Sequence, residues 1–462
     1  MADLVHGRIT RRRFLEVAGM GAAATVVVPG FLEACAQSST GSATGSPKPA
    51  TLSLYVAKDT ARPQAQAQLF DMIKTQFEAE NPGSSFTYDT YASAAEETTK
   101  LETAAAAQEG PDIFEFGSTL VPTAYATKAF EVFTDDMWSH LGGKKIFFPP
   151  QLTMSGPSPD KLIAVPVSGN PWAMVHNKAM FQAAGINQVP KTWSDFIAAA
   201  KEMTNGTDQW GTAMAPADGF DPWHKIWLFV TQLGGNLMDS TGKKGLLDSD
   251  ASLEACAFWL DWMAKYKIAA RQDAAFKGAD EVRAFATGKI GFSVMTGPGG
   301  MGTWDNSPVA GQYEYTLGPT IPYGLSSLPS GGKAAQGFVS GQYYTLFKYS
   351  KNQQLALNLL KVVVSPEIQY QYFKLRKQQP VVLSTFDKYP ELKQGNWAAL
   401  YDAALKAYPT PFFSAWGPLE VELGKAVNKI AGQVGISGSY SMSDLKAALT
   451  QVNQELQASL GA

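Results

Sequence analysis

Apolar and polar residues alternate along TLSLYVA, from Thr51 to Ala57, as they do in a strand with one buried face. The spacing then changes. Leu69, Met72, Ile73 and Phe77 fall on one helical face, and Asn81-Pro82-Gly83 stops the run. Alternation returns in SSFTYDTYA, AEETTKLETAAAAQ is helical throughout, and Pro111 opens the apolar strand PDIFEF. The rhythm strand, helix, strand, helix, strand predicts an α/β lobe with parallel pairing.

A second α/β stretch follows. KLIAVPV reads as a strand and Trp172 to Asn177 as another, separated by Ser168-Gly169-Asn170-Pro171. Thr192-Trp193-Ser194-Asp195 has the capping-box spacing and starts a helix through Met203. Helical segments are predicted around Trp223 to Leu233 and Leu253 to Tyr266, then the strand KIGFSVMT, the strand YYTLFK and the helix NQQLALNLLKVVV. A helical region from Leu419 to Leu460 closes the chain. No segment repeats at a fixed period, which argues against solenoids and propellers.

The first residues follow a different pattern. Val17 to Leu32 is apolar, but it is broken by glycines and Pro29 and falls below the roughly 20 residues that span a bilayer. Residues 1–34 therefore read as an export signal. Arg11-Arg12-Arg13-Phe14-Leu15 resembles the twin-arginine signal, with an ordinary basic leader as the alternative. Leu32-Glu33-Ala34-Cys35 resembles a bacterial lipobox, with Glu33 where a small residue is usual, so Cys35 is expected to be the lipidated first residue of the mature chain. Cleavage elsewhere, with Cys35 discarded, is the alternative. Residues 35–50 are rich in Ser, Thr, Gly and Pro, cannot build a core, and suit a flexible tether.

Composition narrows the chemistry. The net charge is −3 and no basic stripe is present, which excludes nucleic acid as a partner. Cys256 shares a helical face with Leu253, Leu260 and Ala264 and reads as a buried thiol. Among four histidines there is no HExxH, and CxxC, GxSxG and P-loop patterns are also missing. Gly297-Pro298-Gly299-Gly300-Met301-Gly302 matches GxGxxG, but TWDNSP after it does not read as a helix able to hold a pyrophosphate. No metal, nucleotide or covalent cofactor is expected. Aromatics are the conspicuous resource, with eleven tryptophans. Trp172, Trp223, Trp304 and Trp416 lie beside Gly, Pro or Asn rather than within periodic faces, which suits stacking on the C–H faces of a sugar; packing under a loop is the alternative for each. Trp259 and Trp262, beside Leu260, read as core.

VHNKAMFQAAGINQVPKTWSDFIAAAKEM is similar to a signature of the extracellular solute-binding proteins of ABC importers, in the branch that mostly binds sugars and oligosaccharides; His176 stands at its usual tyrosine. FEAENPGSSFTYDTY, GPDIFEF and FATGKIGFSVMTGPG extend the resemblance from about Thr51 to the C-terminus. It implies an α/β, two-lobe periplasmic-binding-protein-like fold, with a ligand cleft between lobes joined by hinge strands. By analogy the first lobe comprises 51–167 and 342–389, and the second 168–341 and 390–462. Carried over position by position, the ligand site takes Lys58 and Asp59 after the first strand, Phe116 and Ser118 after PDIFEF, and Asn170 and Trp172 after the first hinge. Trp223, then Met301 and Trp304, then Trp416 and Glu420 complete it. Family members often carry a tryptophan directly after the Gly-Pro turn, where this chain has Gly299, and Trp304 is the candidate replacement.

The function implied is that of a monomeric, non-enzymatic, lipid-anchored component at the outer face of the cytoplasmic membrane. It would capture a sugar or oligosaccharide and deliver it to the permease subunits of an ABC transporter. Two readings stand beside it: an exported carbohydrate-active hydrolase, and a binding protein for a non-sugar solute such as a glycerol phosphodiester or polyamine. The candidate cleft residues are neither strongly acidic nor rich in arginine, as those two solutes would want.

Overall fold

The computed structural model describes residues 47–59, 62–218, 221–319 and 337–460. The export signal, Cys35 and most of the tether lie outside the described residues. Within the expected tether, Pro49 packs against Gly83, and the Ala50 carbonyl accepts a hydrogen bond from the Ser85 N–H.

Three strands, β1 (Thr51–Ala57), β2 (Ser85–Tyr91) and β3 (Ile113–Gly117), pair in parallel, with β1 in the middle. Parallel strands need crossovers, and the helices Pro63–Glu80 and Ala94–Ala107 supply them. Residues of β3 are buried on both faces: Ile113 enters one core, Phe114 and Phe116 the other, which is why the strand reads as a continuous apolar run. Ser93, Thr192, Ser249 and Ser441 each cap a helix by accepting a backbone N–H from the residue three positions on, contributing about 1 kcal/mol apiece.

The lobes are joined through β4 (Ala164–Asn177), a 14-residue strand. The expected break between two strands is not there. Pro171 holds its own φ near that of extended chain and pushes Asn170 toward extended geometry, so Gly-Asn-Pro continues the strand instead of turning it. Beyond it come β5 (Trp210–Thr212), β6 (Ile290–Thr296), β7 (Tyr313–Thr316) and β8 (Phe338–Leu346). The sheet order is β2-β1-β3-β8-β4-β6-β5, with β7 also on β4. From Ala164 to Trp172, β4 pairs antiparallel with β8 in the first lobe's sheet; from Ala173 to Asn177 it pairs with β6 and β7 in the second.

The second lobe is built on helices Asp221–Gln232, Asp250–Ala264, Trp416–Ser437 and Met442–Ser459. Trp193, Trp227, Trp259 and Trp262 are fully buried among them, and Cys256 is an interior thiol. Helices Pro366–Arg376 and Asn396–Lys406 left no clear pattern in the sequence, since each buries only a few side chains and offers polar or aromatic residues elsewhere. Among the described residues no helix is long and apolar enough to cross a membrane.

Trp259 is 0 % exposed and stands under the Lys225 ammonium, 5.7 Å from its ring centre. Replacing it with alanine leaves a cavity in a core with little freedom to collapse. Trp259→Ala is expected to cost about 3–5 kcal/mol in denaturant unfolding.

Candidate ligand site

Where β4 passes from one sheet to the other, Trp172 stands half-buried, and its indole N–H donates to Ser340 Oγ on β8 at 3.1 Å. That bond fixes the ring, whose face stacks on His224 with centroids 4.3 Å apart and planes at 25°. His224 in turn lies 4.1 Å from Trp223. Trp223 meets Trp416 edge-on at 5.5 Å and Phe338 at 5.2 Å. Strand β4, helix Asp221–Gln232 and helix Trp416–Ser437 thus bring rings 244 positions apart in sequence into one run (Trp172 to Trp416).

The run contains polar atoms without partners. Among the described residues, the buried indole N–H groups of Trp223 and Trp416 find no hydrogen-bond partner, nor does Oε1 of Glu420, one helical turn beyond Trp416. Trp223 and Trp416 are themselves 2 % and 1 % exposed, within the second lobe's core, so of these rings only Trp172 is partly open. Burial pushes the Glu420 carboxyl up to about 8, against the opposing effect of a hydrogen bond from Thr119. Thr119 follows Ser118 in the loop after β3, and the Ser118 N–H donates to the Gly341 carbonyl at 3.1 Å. A first-lobe loop therefore meets both the hinge and a second-lobe helix.

Asn170 lies partly exposed on β4, two residues before Trp172. Its amide lies 2.8–3.2 Å from the place a Cβ would occupy on Gly297, so only glycine lets the two approach. Strand β6 reaches this point through an extra residue: between its pairings at Ala173 and Val175 it bulges, with Met295 at φ 52°. A methionine in the left-handed region is strained, and the bulge re-aims Thr296 and Gly297 toward Asn170. Next to it, Gly299 is exposed and a Cβ there would meet no atom within 4 Å.

Three expected ligand contacts are core residues instead. Phe116 is 0 % exposed, between Phe114 and Phe130. It faces inward because β3 is covered on both sides. Met301 and Trp304 sit in a four-residue helix, Met301–Trp304, that turns both toward Phe285, Tyr313 and Tyr315. The Trp304 indole N–H is satisfied by the Val282 carbonyl at 2.9 Å, so this ring does not stand in for the one missing at Gly299. Asp59 is held in the first lobe by Arg376 at 3.1 Å and by the Arg62 backbone N–H at 2.9 Å. Lys58 is exposed, its N–H bonded to the Tyr91 carbonyl. Of the expected positions, Trp172, Trp223 and Trp416 join one run of rings through His224, although Trp223 and Trp416 are as buried as Trp304, and Glu420 lies one turn beyond Trp416.

His224, Thr119 and Glu97 were not expected. Only adjacency to Trp223 in GFDPWHKIW marks His224. Glu97 Oε1 accepts from the Gly117 N–H at 3.3 Å and from the Tyr91 hydroxyl at 3.2 Å, steadying the loop that carries Ser118; burial pushes this carboxyl up to about 8. Among the described residues no three His, Cys, Asp or Glu side chains gather as a metal ion would need.

The model of the bacterial extracellular solute-binding protein family matches residues 59–370. Among characterised relatives, the diacetylchitobiose binding protein DasA of Streptomyces coelicolor is 28 % identical over 326 residues, 70 % of this chain and 72 % of that protein. The sugar-binding protein MalE of Xanthomonas citri superposes with a TM-score of 0.73 at 18 % identity, over 89 % of this chain and 97 % of that one. Maltose-bound MalE3 of T. maritima gives 0.71 at 19 %, over 88 % and 99 %. The two structures share this fold.

Glu97, Asp273 and Glu420 are raised by burial to about 8, and Glu115 to about 7. Each holds its proton in the folded chain after the unfolded chain has released it near pH 4, so this contribution is full below that pH and lost as pH rises through the folded values. Ligand-free protein is expected to melt at a higher temperature at pH 5.5 than at pH 8.5, and Glu420→Gln to flatten the slope. Calorimetry across that range checks both; a Tm that rises with pH contradicts the assignment.

Proposed function

The chain belongs to the bacterial extracellular solute-binding proteins, and from that premise we propose that it captures a sugar or oligosaccharide between its lobes and presents it to the permease of an ABC importer. The observation that carries this reading is the run of rings Trp172, His224, Trp223 and Trp416, bordered by unpartnered buried donors and by the Glu420 carboxyl. Sugar rings offer C–H faces to indoles and hydroxyls to such polar atoms. The relative that binds diacetylchitobiose makes N,N′-diacetylchitobiose the first ligand to try.

In this reading the lobes divide near Val167 and Gln342, where β4 and β8 cross, and closure is stabilised by contacts a ligand makes to both sides. The family and fold are of the binding type, so the ligand is expected to leave unchanged; hydrolysis products after incubation would promote the hydrolase reading. A phosphodiester or polyamine fits less well, because the charged groups near the cleft are already engaged, as Asp59 is with Arg376. Cys35 and the tether supply the anchor, an assignment that rests on the sequence.

Trp172→Ala is expected to weaken sugar binding at least tenfold, about 1.4 kcal/mol, with the Tm of the ligand-free protein nearly unchanged. Trp304→Ala should do the reverse, lowering Tm while folded protein keeps its affinity. Isothermal titration and melting of both variants, after a thermal-shift screen of sugars, decide whether the site stands where it is placed.

Anchoring is tested separately. Cys35→Ala should move the protein from the membrane fraction to the soluble one, since a composition without a basic patch offers no second attachment. Metabolic labelling that finds no lipid on the exported protein removes the anchor.

A further inference from the structure

Resting on the reading that the ring run binds ligand, we propose that buried Lys225, Glu281 and Ser293 form a lock that sets the position of Trp223 and His224. Glu281 is then a positioning residue for ligand capture, remote from the binding surface itself.

Lys225 is 0 % exposed and follows Trp223 and His224 directly on helix Asp221–Gln232. Its ammonium lies 3.1 Å from Glu281 Oε2, on helix Gly278–Ala286. Oε1 of Glu281 accepts from the Ser293 hydroxyl at 2.7 Å, in the middle of β6. Both carboxylate oxygens are therefore engaged, and the three groups tie together three elements. One carries the rings. Another, β6, runs on through its bulge to Gly297, where Asn170 is seated.

Stability alone does not account for charges here. A buried ion pair is often no more stabilising than apolar side chains of the same volume, because desolvation offsets the attraction. Lys225 also sits near the positive end of its own helix, where the macrodipole disfavours a cation. What the pair supplies is direction: charge-assisted hydrogen bonds are short and weaken steeply when geometry slips, whereas apolar contacts tolerate sliding. The ring run needs that direction. Turning the helix by about 20° would carry a ring about 6 Å from its axis through roughly 2 Å, enough to break a stack. The stack here has spacings of 4.1 and 4.3 Å.

The test reads the stack without any ligand. In the full chain labelled at histidine, the His224 ring between two indoles should resonate far upfield, with His140, in the first lobe, as the internal reference. Glu281→Gln is expected to move the His224 signals toward their unstacked position while His140 holds, and to weaken binding of whichever sugar the screen identifies at least tenfold. A folded Glu281→Gln protein with His224 unmoved overturns the lock. Should that variant fail to fold, Ser293→Ala decides, because it removes one bond and keeps the ion pair: a smaller shift in the same direction supports the proposal, and none sinks it. A moved His224 with unchanged sugar affinity upholds the lock and counts instead against the rings as the binding surface.

Discussion

Everything at the cleft depends on one strand being shared by two sheets. At Gly169, β4 is flanked by Gly341 of β8 on one side and by Gln379 on the other, where two backbone hydrogen bonds of 2.8 Å are exchanged. Three chain segments thus run side by side between the lobes. One of the three must be glycine: a Cβ on Gly341 would stand 2.3 Å from the Ser168 carbonyl oxygen, whereas one on Gly169 would chiefly displace the terminal amide of Gln151, 2.4 Å away. The close approach that makes the connection narrow is also what leaves it without side chains to stiffen it.

Strand parity then distributes the roles. Successive side chains on a strand point to opposite faces, so Asn170 and Trp172 share a face that Gly169 does not. On the second lobe, a helix starting at Asp221 and one starting at Trp416 bring their first turns to the same place. The run of rings is built from the first turns of those two helices and from Trp172 inside β4, where the strand changes sheets.

Much of the fold was legible. Alternation gave β1 and β2, and short apolar runs gave β3 and β6, each to within about two residues, and the capping box at Thr192 was a correct start signal, because these depend on local spacing. The continuous β4 was less so: Gly-Asn-Pro is a turn signal in isolation, and only pairing with β8 on one side and β6 and β7 on the other keeps it extended. The site was legible in part for the same reason. Trp172 and Trp304 have similar neighbours in sequence, both beside glycine, asparagine or proline. One is half-exposed at the hinge, and the other is sealed against Phe285 with its N–H spent on a carbonyl. No local pattern separates them, since the difference lies in which way a four-residue helix rolls against its neighbours.

The charge arrangement carries the argument one step further. Two buried ion pairs are closed within the protein: Arg376 with Asp59 in the first lobe, Lys225 with Glu281 in the second. Among the described residues, the polar atoms beside the aromatic run include the indole N–H groups of Trp223 and Trp416 and a Glu420 carboxyl whose titration burial raises to about 8. In the proposed reading such a set would recognise through hydrogen bonds and ring faces, and a charged solute entering it would lose hydration for little return. A neutral polyhydroxylated ligand loses less, and recovers it through contacts that exist only when both lobes reach it. The internal pairing of charges thus does for selectivity what the narrow hinge does for motion: each removes the alternatives that would work with the lobes apart.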